Sequence, residues 1–363
     1  MRMDLAKNVE EIHCENFQED LVKELTKDFY KVMEVYFDKQ IIFPYMFLKD
    51  IHKAYQEQYD DCNIYMLMLC DKLEMIEATQ ELNYFIVKYK NISSGEVETL
   101  KMYYREWFGV DIPPQCIRIS IEKFGQILKI EVQKEIFDRI KFMSGLPNDM
   151  SNILITNIYD LINLCKKDVE TCENYNVIYI GQSNPKAEYR TIFDRLEKHE
   201  KITEVFRDYN LEYRDKELMV CIMHAKSKLH NIDGLLALGS TEWNQYDMVG
   251  EKIDNAAIID ITEAMLIYHF KPLYNIKLKD SMPNVDMKKY NQIMQARINR
   301  VEVQLNLFLD SFQNSIRLIT KNQKTVSKLR TLRCNIDELY QIGENTDILY
   351  EDIDDRLYDM LLR

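Results

Sequence analysis

Val177-Ile178-Tyr179-Ile180-Gly181-Gln182-Ser183 decides how this chain is read. Its first four positions are β-branched or aromatic, as in a buried strand, and Gly181 ends the run. Asn184-Pro185 follows, a combination that stops a strand and opens a helix. The spacing then predicts a helix through Arg190, Arg195 and His199, with Ile192, Leu196 and Phe206 as its apolar stripe. Arg195 and His199 stand four apart, so they share a face and should lie against the sheet near the end of the strand of Tyr179.

Working outward, the runs ILITNIY and LMVCIMHA also read as strands, and they alternate with helical stretches. Gly145-Leu146-Pro147-Asn148 marks a boundary before them, because a Gly and a Pro so close together interrupt a helix. Residues 150–286 are therefore expected to form a small α/β unit. Within it, ITEAMLIYHFKPLYN reads as a helix with Glu263 on its apolar face, followed by a closing segment with Asn275. A carboxylate on an apolar face is costly unless it is paired or binds a cation. Glu263 could equally complete a capping box with Asp260 at a helix start.

In this order, a Tyr-Ile-Gly strand, a helix with Arg195 and His199, a later helix with Glu263 and then Asn275, the central unit resembles the GIY-YIG nuclease family. The resemblance implies a small mixed or antiparallel sheet flanked by helices, and an endonuclease that hydrolyses phosphodiester bonds with a divalent cation. Glu263 would hold one Mg²⁺ or Mn²⁺, Arg195 would present a cationic fork to the phosphoryl oxygens, and His199 would assist. Tyr179 or Tyr159 would orient or deprotonate the attacking water. Gly181, Gln182 and Ser183 would line the substrate backbone, and Asn275 would brace the site or touch phosphate. The family's opening element is expected on a strand shortly before Tyr179. Asn157-Ile158-Tyr159 is the candidate, unless residues 157–164 are a helix. DNA is the implied substrate in preference to RNA, in restriction, phage defence or repair. The alternative is an interaction protein that keeps the fold without the chemistry.

Both flanks are expected to be mostly helical, giving an α+β protein. Residues 1–149 carry helical spacing at Leu21, Leu25, Phe29, Val32, Val35 and Tyr36, and again through Ile64, Met66, Leu67, Leu73, Ile76 and Leu82. They also contain a β-hairpin, CIRISIE and QILKIEV, turning at Lys123-Phe124-Gly125. Residues 287–363 predict a long helix through Val301, Leu305, Phe308, Phe312, Ile316 and Ile319, suited to oligomerisation or docking of a partner subunit. Only 9 Gly and 7 Pro in 363 residues suggest long regular elements.

Eight scattered cysteines without a Cys-x-x-Cys pair read as reduced thiols in the cytoplasm. No apolar run approaches the roughly 18 residues of a membrane span. The formal charge of −13 weighs against strong unaided nucleic-acid binding, since phosphate contacts depend on Lys and Arg. Local relief is confined to Lys226, Lys228, Lys271, Lys277 and Lys279, which could form a phosphate-facing rim.

Overall fold

The structure, a computed structural model, describes residues 30–144, 151–165, 174–183, 191–198, 200–232 and 253–279, with shorter stretches between 293 and 335. It opens on a strand, β1 (Tyr30–Pro44), followed by helix α1 (Leu48–Tyr59) and strand β2 (Ile64–Asp71). Every residue from Ile64 to Cys70 is buried. A strand covered on both faces shows a continuous apolar run in place of alternation, which is why the Met and Leu of this segment mimic a helix in the sequence.

The chain then makes two small antiparallel sheets before it returns. β3 (Leu73–Gln80), β4 (Tyr84–Asn91) and β5 (Val97–Tyr103) form the first. After α2 (Tyr104–Phe108), β6 (Ile117–Glu122), β7 (Ile127–Val132) and β8 (Ile153–Asn157) form the second, with α3 (Lys134–Ser144) between β7 and β8. The β6–β7 pair is the hairpin expected from CIRISIE and QILKIEV. Helix α4 (Ile158–Cys165) closes the insertion.

β9 (Asn174–Gln182), α5 (Ile192–Lys198), α6 (Glu200–Glu212), β10 (Lys216–Ile232) and α7 (Asn255–Phe270) come next. They are followed by β11 (Arg300–Leu305), the short β12 (Phe308–Leu309) and β13 (Asn314–Ser315), β14 (Arg317–Ile319) and β15 (Arg330–Asn335). The main sheet has seven strands in the order β14-β9-β2-β10-β1-β11-β15. β2 is antiparallel to both β9 and β10, β10 is antiparallel to β1, and β11 runs parallel to β1.

Strands make up 45% of the described chain, against seven helices, and the large mixed sheet curls. The expected mostly helical N-terminal region and C-terminal helical extension around a small sheet are therefore incorrect. The main sheet takes strands from all three segments that the sequence suggested as separate. In Arg300–Leu305 the burial alternates, with Val301, Val303 and Leu305 inside. Val301 and Leu305 fit both a helix and a strand, but Val303 fits only the period of two. Val301 and Leu305, two of the residues assigned to a partner-binding helix, thus pack within the sheet. Phe312 and Ile316 lie outside the described residues.

Side-chain alternation divides the core. Met66 and Met68 of β2 join Met33, Val35, Ile180, Met219 and the apolar residues of α7 on one face. Tyr65, Leu67 and Leu69 point to the other, beneath Ile192, Phe193 and Leu196 of α5 and Ile202 and Val205 of α6. Among the described residues no helix is long and apolar enough to cross a membrane.

Candidate functional site

The pairing of β2 with β9 sets Tyr65 opposite Gly181 and Leu67 opposite Tyr179, so the two tyrosines share a face. Their ring centroids are 6.0 Å apart. A bulge at Ile178, where Met68 pairs with Val177, bends β9 beside Tyr179. Tyr65 is wholly buried and its ring crosses directly over Gly181. A Cβ at position 181 would stand 2.5 Å from Tyr65 Cζ and collide with Oη as well. Gly181→Ala is therefore expected to destabilise the fold by about 1–3 kcal/mol, the cost of overpacking a buried site. Chemical denaturation would measure it, and a wild-type midpoint would show that Tyr65 can move aside.

Arg195 comes from α5. That helix begins with a reciprocal cap in which the Asp194 N–H donates to Thr191 Oγ1 at 3.2 Å and the Thr191 N–H to Asp194 Oδ2 at 3.3 Å. Buried Ile192, Phe193 and Leu196 fix the helix against the sheet, which carries the Arg195 side chain to the tyrosines. Arg195 Nε and Tyr65 Oη are both buried, and neither makes a well-formed hydrogen bond among the described residues. Burial holds the Tyr65 phenol well above its ordinary value, with the adjoining Tyr179 phenol adding to the effect and Arg195 opposing it. Tyr179 is raised too, chiefly by burial, helped by the negative charge of Glu263 and opposed by Tyr65 and Arg195. Both phenols are thus neutral near pH 7.

Glu263 lies on α7. This helix starts at Asn255 and is capped by Asp254, whose side chain accepts from the Ala256 N–H. Asp260 and Glu263 are consequently mid-helix residues, and a capping box between them is excluded. Nearly all of α7 is buried, but both carboxylates are only partly so. Asp260 Oδ1 accepts from Gln182 Nε2 at 2.7 Å. Glu263 is near enough for its charge to act on Tyr179.

Three elements therefore bring Tyr65, Tyr179 and Arg195 together, and α7, whose apolar residues pack on the other face of the sheet, holds Glu263 within reach of Tyr179 for its charge alone. Asn275 has a different place. Its Oδ1 accepts from the Ile180 N–H at 2.9 Å and its Nδ2 donates to the Ile180 carbonyl at 2.8 Å, while the Tyr274 N–H donates to the Ile178 carbonyl at 3.0 Å. The side-chain amide so continues the hydrogen-bond ladder on the edge of β9, a bracing role. Gln182 Nε2 donates to Asp260, the Ser183 N–H donates to the Asn63 carbonyl at 2.8 Å, and Gly181 and Ser183 are buried while Gln182 is half-buried. His199 and Arg190 lie outside the described residues.

Tyr159 is not brought to this cluster. It sits in α4, on the other side of the sheet, and its hydroxyl accepts from the Leu73 N–H at 3.1 Å and donates to the Asp71 carbonyl at 3.0 Å. The tyrosine that the sequence reading missed is Tyr65. Asn63-Ile64-Tyr65 is the same triplet as Asn157-Ile158-Tyr159, and it does begin a strand. It escaped because it precedes Tyr179 by 114 residues, across two inserted sheets.

No protein-family model, curated protein or solved structure matches the chain.

Proposed function

We propose that this protein is a GIY-YIG-type endonuclease that hydrolyses phosphodiester bonds of nucleic acid, DNA in preference to RNA. The observation that carries the reading is the meeting of Tyr65, Tyr179 and Arg195, with the charge of Glu263 in reach of Tyr179; among the described residues Tyr65 Oη and Arg195 Nε are buried without a well-formed hydrogen bond. Each such atom costs about 1–3 kcal/mol, and a fold keeps costs of that kind where a site needs them. The adjacency of Asn63-Ile64-Tyr65 and Tyr179-Ile180-Gly181 on antiparallel neighbours also supports it. That is the arrangement the family's opening strand and its Tyr-Ile-Gly strand require, with Asn63 in place of the first glycine.

In this reading the Arg195 guanidinium binds the phosphoryl oxygens as charge develops on them. The two neutral phenols orient the attacking water by hydrogen bonding, since burial keeps either from being a ground-state phenolate. Among the described residues no three His, Cys, Asp or Glu side chains form a metal cage. A hydrated Mg²⁺ or Mn²⁺ does not need one, and the oxygen donors of Glu263 fit such an ion. When bound there it would add positive charge at the scissile phosphate.

Tyr65→Phe separates a site role from a packing role. Because Tyr65 Oη makes no well-formed hydrogen bond among the described residues, its removal should change stability little, while cleavage falls on the order of tenfold for one lost hydrogen bond of about 1.4 kcal/mol. A thermal melt and a cleavage time course on the same sample read both. Equal loss of both would make Tyr65 structural only.

The reading itself is tested by incubating the full chain with supercoiled plasmid, linear duplex, single-stranded DNA and RNA, with Mg²⁺, with Mn²⁺ and with EDTA. Cutting of DNA that EDTA abolishes supports it. A folded protein that cuts none of the four substrates with either ion overturns it, and favours an interaction protein.

A further inference from the structure

Lys271-Pro272-Leu273-Tyr274-Asn275-Ile276-Lys277-Leu278-Lys279 contains three lysines and no acidic residue, in a chain of net charge −13. It leaves α7 and runs along the edge of β9, tied to Ile178 and Ile180 on either side of Tyr179. Its ends are fixed as well: the Lys271 N–H donates to the Ile267 carbonyl at 2.8 Å, and Leu278 packs against the core. Lys271 and Leu278 both have left-handed backbone, at φ 45° and 65°. The first is a helix terminus, where that conformation is common. The second is an outlier for a leucine, which persists only where the surroundings over-determine it.

Between these anchors Leu273, Ile276 and Lys277 turn outward, while Pro272 and Asn275 are buried. Ile276 is 82% and Leu273 49% exposed, and among the described residues none of the three lysines makes an ion pair. Lys271 Nζ lies over the Tyr268 ring at 5.4 Å, and Lys279 Nζ is 3.4 Å from the Leu273 carbonyl. A rigid, basic, partly apolar segment bound to both neighbours of Tyr179 complements a polyanion that must reach that residue. We infer that residues 271–279 are the clamp that holds the phosphodiester backbone of the nucleic acid beside the site, with Lys271, Lys277 and Lys279 on phosphates and Ile276 against the sugars. The inference rests on the nuclease reading and deepens it. Three lysines also set a limit: each phosphate contact contributes about 0.9 to the salt slope, so binding by this clamp alone is weak at physiological salt.

The test is fluorescence anisotropy of a labelled DNA duplex with the full chain in EDTA, as salt is varied. Wild type is compared with a Lys277→Ala/Lys279→Ala double variant and with Ile276→Ser, all at exposed or partly exposed positions and checked by thermal melts. The double variant should lower the slope of log Kd against log salt by about 2, one unit for each lysine, and weaken binding alike for unrelated sequences. An unchanged slope in a folded double variant overturns the clamp, as does a wild type that fails to bind at low salt. Phosphatidylserine vesicles are the second arm. If the wild type pellets with them and the double variant does not, while DNA binding is unaffected, the segment is a membrane contact and the clamp is overturned. A wild type that cuts DNA with an unchanged slope in the double variant rejects the clamp alone. A lysine-dependent slope in a chain that never cuts rejects the nuclease reading alone.

Discussion

Arg195→Ala and Glu263→Gln are each expected to slow cleavage by about 10²–10³-fold, the range for removing one preorganised charge from a phosphoryl or acyl transition state. Affinity for uncut DNA should change little, because neither side chain belongs to the basic segment that adjoins the site. The folded state should also lose little. Among the described residues Arg195 Nε makes no well-formed hydrogen bond, and a glutamine keeps the size and shape of the half-buried Glu263. Single-turnover cleavage and a thermal melt, run on one preparation, separate these effects. Arg195→Lys adds a sharper outcome. A lysine restores the charge but not the planar two-pronged donor, so it should recover only part of the rate. Cleavage at wild-type rate in both Arg195→Ala and Glu263→Gln would assign the activity to a contaminant and remove the nuclease reading.

The candidate site was more legible in the sequence than the fold around it, for a local reason. Tyr179, Arg195, Glu263 and Asn275 announce themselves within a hundred residues, on segments whose type depends on short-range signals: a β-branched run ended by Gly181, a Thr191–Asp194 cap, an apolar α7. Tyr65 depends on a contact across 114 residues, and no spacing rule reaches that far. The flanks failed for a different reason. Ile64 to Cys70 has no polar position to reveal a period, because β9, β10 and both core layers cover it. Tertiary pairing overrode the helical preference of its Met and Leu residues. In Arg300–Leu305 the signal was present, since Val301, Val303 and Leu305 alternate, but the longer run toward Phe308 and Ile319 fits helical spacing equally well. Tyr159 shows the same limit from the other side: the triplet was right and the element wrong, because a motif has no meaning apart from the strand that carries it.

Glu217→Gln is expected to make the protein more stable at alkaline pH, by up to about 3.5 kcal/mol, and to leave cleavage unchanged. Glu217 lies on β10 opposite Cys70 of β2 and is only 4% exposed. Burial pushes its carboxyl up to about 7 from the ordinary 4.5; Lys72 and the Leu218 N–H pull it partly back, and Glu74 adds to the rise. The folded state therefore holds this proton more tightly than the unfolded chain. Its contribution to stability is complete below about pH 4.5 and is lost as pH rises through 7, beyond which the penalty stays constant. At about 1.4 kcal/mol per pH unit of separation, the full loss comes to about 3.5 kcal/mol. Glutamine has the same shape and no charge, so the variant should match wild type near pH 4, diverge from it up to about pH 7 and run parallel to it above. Urea denaturation of both proteins across that range isolates the effect, because every other titrating group is common to the pair. Curves that stay parallel would mean that Glu217 keeps its charge in the fold through a stronger partner than Lys72. Cleavage should be untouched in either case, since the Tyr65–Tyr179 pair lies at the opposite end of β2 from Cys70.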